Sequence, residues 1–206
     1  MHKIFDDVVK IDLSAYYTKL NNALVRRDFT LNGFDSIMYD GIMSKVQAIQ
    51  NAAEANVYGI QAGIEVKLPE GFGFSSDFNF QKGEEELDDG STSPLRHATP
   101  AFGVSKLTYT TDVLKLELYA VYQAEFSYDD LAVSEQEKTE IYAVDSNGNP
   151  YSPSWCTLNF KAIYKVTNSL TISAGIENLT DQRYRSYSSG VSAPGRNFFL
   201  SLTQKF

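Results

Sequence analysis

Phe72-Gly73-Phe74-Ser75-Ser76-Asp77-Phe78-Asn79-Phe80 sets Phe72, Phe74, Phe78 and Phe80 at alternate positions, with Gly73, Ser75, Asp77 and Asn79 between them. Successive side chains of an extended chain point to opposite faces, so this stretch predicts a strand with one apolar and one polar face. The period recurs on both sides of it. Leu114, Leu116, Leu118, Ala120, Tyr122 and Phe126 oppose Lys115, Glu117, Gln123 and Glu125. Upstream, Val9, Ile11, Leu13, Ala15 and Tyr17 oppose Lys10, Asp12, Ser14 and Tyr16, and Tyr58, Ile60, Ala62, Ile64, Val66 and Leu68 oppose Gln61, Glu65 and Lys67. Downstream, Leu158, Phe160, Ala162, Tyr164 and Val166 oppose Asn159, Lys161 and Lys165. Leu170, Ile172, Ala174 and Ile176 oppose Thr171, Ser173 and Glu177, and Phe198, Leu200 and Leu202 oppose Asn197, Ser201 and Thr203. With 101–110, where Phe102 and Val104 point one way and Leu107 and Tyr109 the other as across a bulge, about eight strands are expected.

The composition suits strands with one face in an apolar phase and the other in water. Tyr and Phe number 13 each against one Trp, yet mean hydropathy is −0.28. No run reaches the roughly 20 apolar residues of a spanning helix. A barrel strand needs apolar residues only at alternate positions over about 9 to 11 residues, and a hydropathy average hides it. The net charge of −8 argues against a nucleic-acid partner, which requires a basic face. The single cysteine, Cys156, has no internal partner and is read as an inert residue at a strand start.

Connection lengths add the topology. Pro69-Glu70-Gly71, Thr111-Asp112 and Thr167-Asn168-Ser169 are tight turns, whereas Leu20 to Ser44, Gln81 to Pro100, Ser127 to Trp155 and Thr180 to Gly195 are long loops. Short and long alternate, so an up-and-down meander places every short turn at one rim and every long loop at the other. Outer-membrane barrels have that asymmetry, and a soluble sandwich has no reason to keep it.

Two motifs make the resemblance specific. Asn178-Leu179-Thr180-Asp181 with Tyr184, followed by Pro194-Gly195-Arg196-Asn197-Phe198, resembles the closing hairpin of TonB-dependent outer-membrane receptors. Asn51 to Ile60 is similar to that family's strand descending to the periplasm, with Gln61 where Glu is usual, and Tyr17-Thr18-Lys19 with Asn22 to Val25 resembles the strand ascending before it. The chain end, with Phe206 on the face of Phe198, Leu200 and Leu202, resembles the terminal strand of outer-membrane proteins, with Gln204 where an apolar residue is usual.

The resemblance implies an all-β, antiparallel, open partial barrel: residues 1–206 as the C-terminal portion of a barrel of about 22 strands. Plug domain and N-terminal strands would lie outside it. Met1-His2-Lys3-Ile4-Phe5-Asp6-Asp7 has no apolar export segment, so the chain is expected to be mature, truncated or the tail of a longer precursor. The implied function is active uptake in the bacterial outer membrane, with a periplasmic C-terminus. Iron chelates such as siderophores are the first expected cargo, and cobalamin, haem and carbohydrate are alternatives. The implied partners are outer-membrane lipid, the small-molecule ligand, the TonB complex through the plug, and the barrel assembly machinery through the last strand. Two other readings stand beside it: a self-contained eight-stranded barrel acting as adhesin or anchor, and a soluble lipocalin-like binder with its apolar face turned inward.

No nucleophile elbow, Ser/His/Asp set, paired acids or phosphate loop occurs at working spacing, so the chain is read as a non-enzyme without cofactor or metal. Glu84-Glu85-Glu86-Leu87-Asp88-Asp89-Gly90 is oxygen-rich but lacks the alternation of a calcium loop and is read as a solvated run. His97 is read as a loop residue. Tyr17, Tyr109, Tyr122, Tyr164 and Trp155 are read as an interfacial girdle. No substrate-binding residue is assigned. Leu118→Arg is expected to impair assembly, and Glu117→Arg, on the polar face, to be far milder.

Overall fold

A computed structural model describes residues 2–5, 8–87 and 89–205. Met1, Asp6, Asp7, Asp88 of the acidic run and the terminal Phe206 lie outside the described residues. Among the described residues there is no α-helix, and no helix is long and apolar enough to cross a membrane. The strands are β1 (His2–Phe5), β2 (Val9–Asp28), β3 (Ser36–Tyr39), β4 (Ile42–Lys45), β5 (Gln47–Lys67), β6 (Phe72–Glu86) and β7 (Thr92–Pro94). There follow β8 (Phe102–Thr110), β9 (Leu114–Gln123), β10 (Ala143–Val144), β11 (Pro150–Tyr151), β12 (Trp155–Lys165), β13 (Leu170–Glu177) and β14 (Asn197–Gln204). One antiparallel sheet runs β1-β2-β5-β6-β8-β9-β12-β13-β14, with β7 added to β6. The eight long strands are the eight expected from the alternation.

Register collects the apolar residues on one face. Ile11 meets Ile64, Leu13 meets Ala62, Ala62 meets Phe78, Leu107 meets Leu118, Leu118 meets Phe160 and Ala174 meets Leu200. Along β2 this band runs from Val9 to Tyr17, beyond which the same face carries the ion pair Lys19–Glu54 at 3.0 Å. The opposite face carries Lys10–Asp12 at 3.0 Å and Glu117, which accepts Lys115 at 2.8 Å and lies 3.8 Å from Lys106. Glu117 is 7% exposed. Replacing it with arginine would crowd cations at a site built around its carboxylate, so Glu117→Arg is not the mild substitution expected from its face alone.

Three glycines face aromatic rings directly across a strand pair: Gly59 opposite Tyr16, Gly103 opposite Tyr122, and Gly175 opposite Phe199. A Cβ on any of them would strike the ring. The ring covers the bare backbone and pins the register.

The short turns are at 68–71, 111–113 and 166–169. Gly71, at φ +84°, packs against the Thr110 carbonyl, where a Cβ would collide. Thr111 and Thr167 hydroxyls accept the Leu114 and Leu170 amides, both at 3.0 Å. The long connections are 29–46, 87–101, 124–154 and 178–196, so short and long alternate as expected.

The main differences are at two loop boundaries and at the expected bulge. The ladder of β2 and β5 continues to Asp28 and Gln47, shrinking the expected loop Leu20 to Ser44 to 29–46 with its own hairpin, β3–β4. Similarly β6 continues to Glu86 and pairs with β7 inside the expected loop Gln81 to Pro100. Backbone pairing is satisfied in water as well as in an apolar phase, so polar side chains do not end a strand. The bulge expected in 101–110 is absent: β8 pairs with β6 and β9 without a register shift, and Phe102 and Val104 sit on the polar face.

Among the described residues, β14 pairs only with β13, and β1 covers β2 only from Val9 to Asp12. The sheet is open, against the self-contained barrel. The lipocalin-like reading fails too, because Leu118, Phe198, Leu200 and Leu202 are 40%, 70%, 72% and 66% exposed rather than turned around a pocket.

Candidate functional site

At the long-loop end, loops 87–101, 124–154 and 178–196 pack together into a cap. Leu131, Ala132 and Ser93 are buried within it, and Ser93 Oγ accepts the Val133 amide at 3.1 Å. Tyr187 bridges all three loops: its hydroxyl donates to the Arg96 carbonyl at 2.9 Å, and its ring lies 5.2 Å from Phe126 and 6.2 Å from Tyr142. Arg185 donates to the Glu140 and Ile141 carbonyls, both at 3.0 Å.

Glu135 sits at the centre with no exposed side-chain surface. Its Oε1 is 2.5 Å from Arg96 Nε and 2.6 Å from Lys138 Nζ, and its Oε2 accepts the Tyr142 hydroxyl at 2.6 Å. Burial pushes the carboxyl up, but the bonds from Lys138 and Tyr142 and the charge of Arg96 outweigh it and hold the group below the usual carboxylate range. Burial, and then the Glu135 bond, raise the Tyr142 hydroxyl well above its ordinary value. Burial likewise pushes Tyr187 up to about 12.

Beside this centre lies a cleft of about 320 Å³ between loops 124–154 and 178–196, lined among others by Tyr142, Trp155, Arg183, Tyr184, Arg185 and Ser188. Among the described residues no carboxylate lines it, although the chain carries 26 acidic residues. Trp155 and Tyr184 rings stack at 4.2 Å. Trp155 and Gln123 occupy paired positions of β12 and β9, and Trp155 Nε1 and Gln123 Nε2 are buried donors without an acceptor among the described residues. With Arg183 and Arg185 in its lining beside Trp155 and Tyr184, the cleft can receive an anionic group against an aromatic wall.

Of the residues singled out in the sequence, Trp155 and Tyr184 line this cleft and the others fall elsewhere. Trp155 lies on the polar face against Tyr184, so it is not part of an interfacial girdle, whereas Tyr17, Tyr109, Tyr122 and Tyr164 are on the apolar face. His97 is exposed in a turn. The acidic run is spread along a strand, with Glu84 and Glu86 on one face and Glu85 on the other, and Asp89 bonded to Ser91. Cys156 is exposed at the start of β12.

The motif residues hold the closing connection together. Asn178, at φ 51° and 3% exposed, accepts the Gln182 amide at 2.9 Å and donates to the Gln182 carbonyl at 2.8 Å and the Pro194 carbonyl at 3.3 Å. Asp181 accepts the Arg196 amide at 2.7 Å, while Arg196 Nε donates to the Leu179 carbonyl at 3.1 Å. Asn178, Asp181 and Arg196 of the motif therefore fix the closing hairpin, while its Tyr184 lines the cleft. In the sequence Glu135 reads only as one acid among Asp129, Asp130, Glu137 and Glu140 of a negatively charged loop, and Tyr187 stands in no period; the structure instead buries Glu135.

The family model described as TonB dependent receptor-like, beta-barrel matches residues 3–179. No curated protein matches by sequence. Among solved structures, the copper transporter OprC superposes with TM-score 0.74 at 16% identity, over 100% of this chain and 29% of that one. The ferric enterobactin receptor PfeA of Pseudomonas aeruginosa gives 0.68 at 17%, over 100% of this chain and 30% of that one. The FrpB iron transporter of Neisseria meningitidis gives 0.68 at 14%, over 98% of this chain and 29% of that one. This chain thus spans less than a third of the length of those structures. With the family model covering most of the strands and the open meander matching these folds, the chain belongs to the TonB-dependent receptor β-barrel family.

Proposed function

We propose that these strands are the C-terminal part of a receptor barrel that takes up iron chelates across the bacterial outer membrane. The observation that carries the reading is the open sheet with a nine-residue apolar band, Val9 to Tyr17 on β2, whose four long loops all lie at one rim. The apolar band faces lipid, the polar face lines the lumen, the cap faces outward, and the C-terminus lies in the periplasm. The cleft beside Arg183 and Arg185 supplies part of the ligand entrance. In this reading TonB acts on the receptor's plug domain rather than on these strands, and the apolar face of β14 is what the barrel assembly machinery reads.

Disruption of the gene should abolish the TonB-dependent accumulation of a radio-iron-loaded chelate under iron limitation, with restoration by the intact gene. Accumulation of every chelate tested at the undisrupted rate would remove iron uptake from the account. Orientation is checked in a Cys156→Ser background. Asn147→Cys should react with an impermeant maleimide on intact cells, and Asp112→Cys only after permeabilisation.

A further inference from the structure

We propose that Glu135 is a lock, a single buried carboxylate that holds loops 87–101, 124–154 and 178–196 as one cap, so that losing its charge frees all three together and moves the walls of the cleft. Each loop places a group on it. Arg96 comes from the first, Lys138 and Tyr142 from its own, and Ser188 from the third, with Oγ 3.5 Å from Oε2. The charged and titratable groups facing it are thus Arg96, Lys138 and Tyr142, with Tyr187 packed alongside.

Its own position is set from below. The Glu135 amide donates to the Ala132 carbonyl at 2.7 Å, and Ala132 and Leu131 are buried. Arg96 and Lys138 converge on the same oxygen, Oε1. Without the negative charge two cations are left side by side with no shared counter-ion, and the repulsion falls between two loops rather than within one. Tyr142 and Ser188 also line the cleft, so release of the lock is transmitted to it directly.

Hydrogen exchange on the full protein in membranes or detergent tests it. Glu135→Gln keeps the shape and removes the charge. The expected result is amide exchange faster by on the order of tenfold in 95–100, 128–144 and 184–189 together, with β9 and β12 unchanged. Acceleration confined to 128–144, or none, would overturn the lock. Should Glu135→Gln fail to assemble, Arg96→Met and Lys138→Met replace it. Each should loosen the same three segments, and a response limited to the substituted loop would again overturn the proposal.

Discussion

Leu118, in the middle of β9, lies across from Leu107 and Phe160 with 40% of its surface exposed, while Glu135, a carboxylate in the loop cap, has none exposed at all. In the sheet the backbone is paired and apolar side chains are left outward. The cap does the reverse, burying charge and satisfying it with Arg96, Lys138 and Tyr142. The first arrangement is stable when an apolar phase covers the outward face, and the second depends on each polar partner being present. The two regions should therefore respond oppositely to the same kinds of substitution.

The largest effect is expected for Leu118→Arg, which places a cation at the middle of the band and should cost about 2–4 kcal/mol in refolding titrations from denaturant into bilayers. Gln61→Arg, exposed on the polar face of β5, is the matched control and should change little. Equal penalties would mean the faces are not distinguished. Next comes Asn178→Ala, which strands the Gln182 amide and two carbonyls and should cost about 1–3 kcal/mol, with faster proteolysis within 178–196.

Acid should act on the cap through Glu135. The folded Glu135 carboxyl lies below its unfolded value, so its contribution is present above the unfolded pKa of about 4.3 and is lost as pH falls through the folded value. Trp155, the only tryptophan, stacks on Tyr184 of the cap, so its emission should shift over that acid range, and the shift should vanish in Glu135→Gln. An unchanged shift in the variant would assign it to another group. The smallest effect is expected for Lys19→Ala, whose partner Glu54 is solvent-exposed at 59%. Its unfolding midpoint should not move measurably.

The contrast also separates what the sequence could tell from what it could not. Strand order, faces and turns were legible because period two is a local property, visible in Phe72 to Phe80 without knowledge of the partner strand. Strand ends past Tyr17 and Phe80 were not, since the ladder outlasts the apolar pattern. Phe102 and Val104 suggest a bulge because apolar residues on the polar face look like a change of phase. The cap was invisible for another reason. Glu135 meets Arg96 and Ser188 from loops 39 and 53 residues away, and no spacing rule encodes an encounter between irregular segments. Asn178 and Asp181 were seen through resemblance, although the hydrogen bonds that explain them came only with the fold.

The apolar band facing lipid is the central claim, and a spin-label scan of β9 in bilayers tests it most directly. With Cys156 replaced by serine, labels at positions 114 to 122 are compared for collision with oxygen and with a water-soluble nickel complex. The account expects oxygen access to peak at Leu114, Leu116, Leu118, Ala120 and Tyr122 and nickel access at the residues between. A profile without period two, or one with the peaks exchanged, would contradict it.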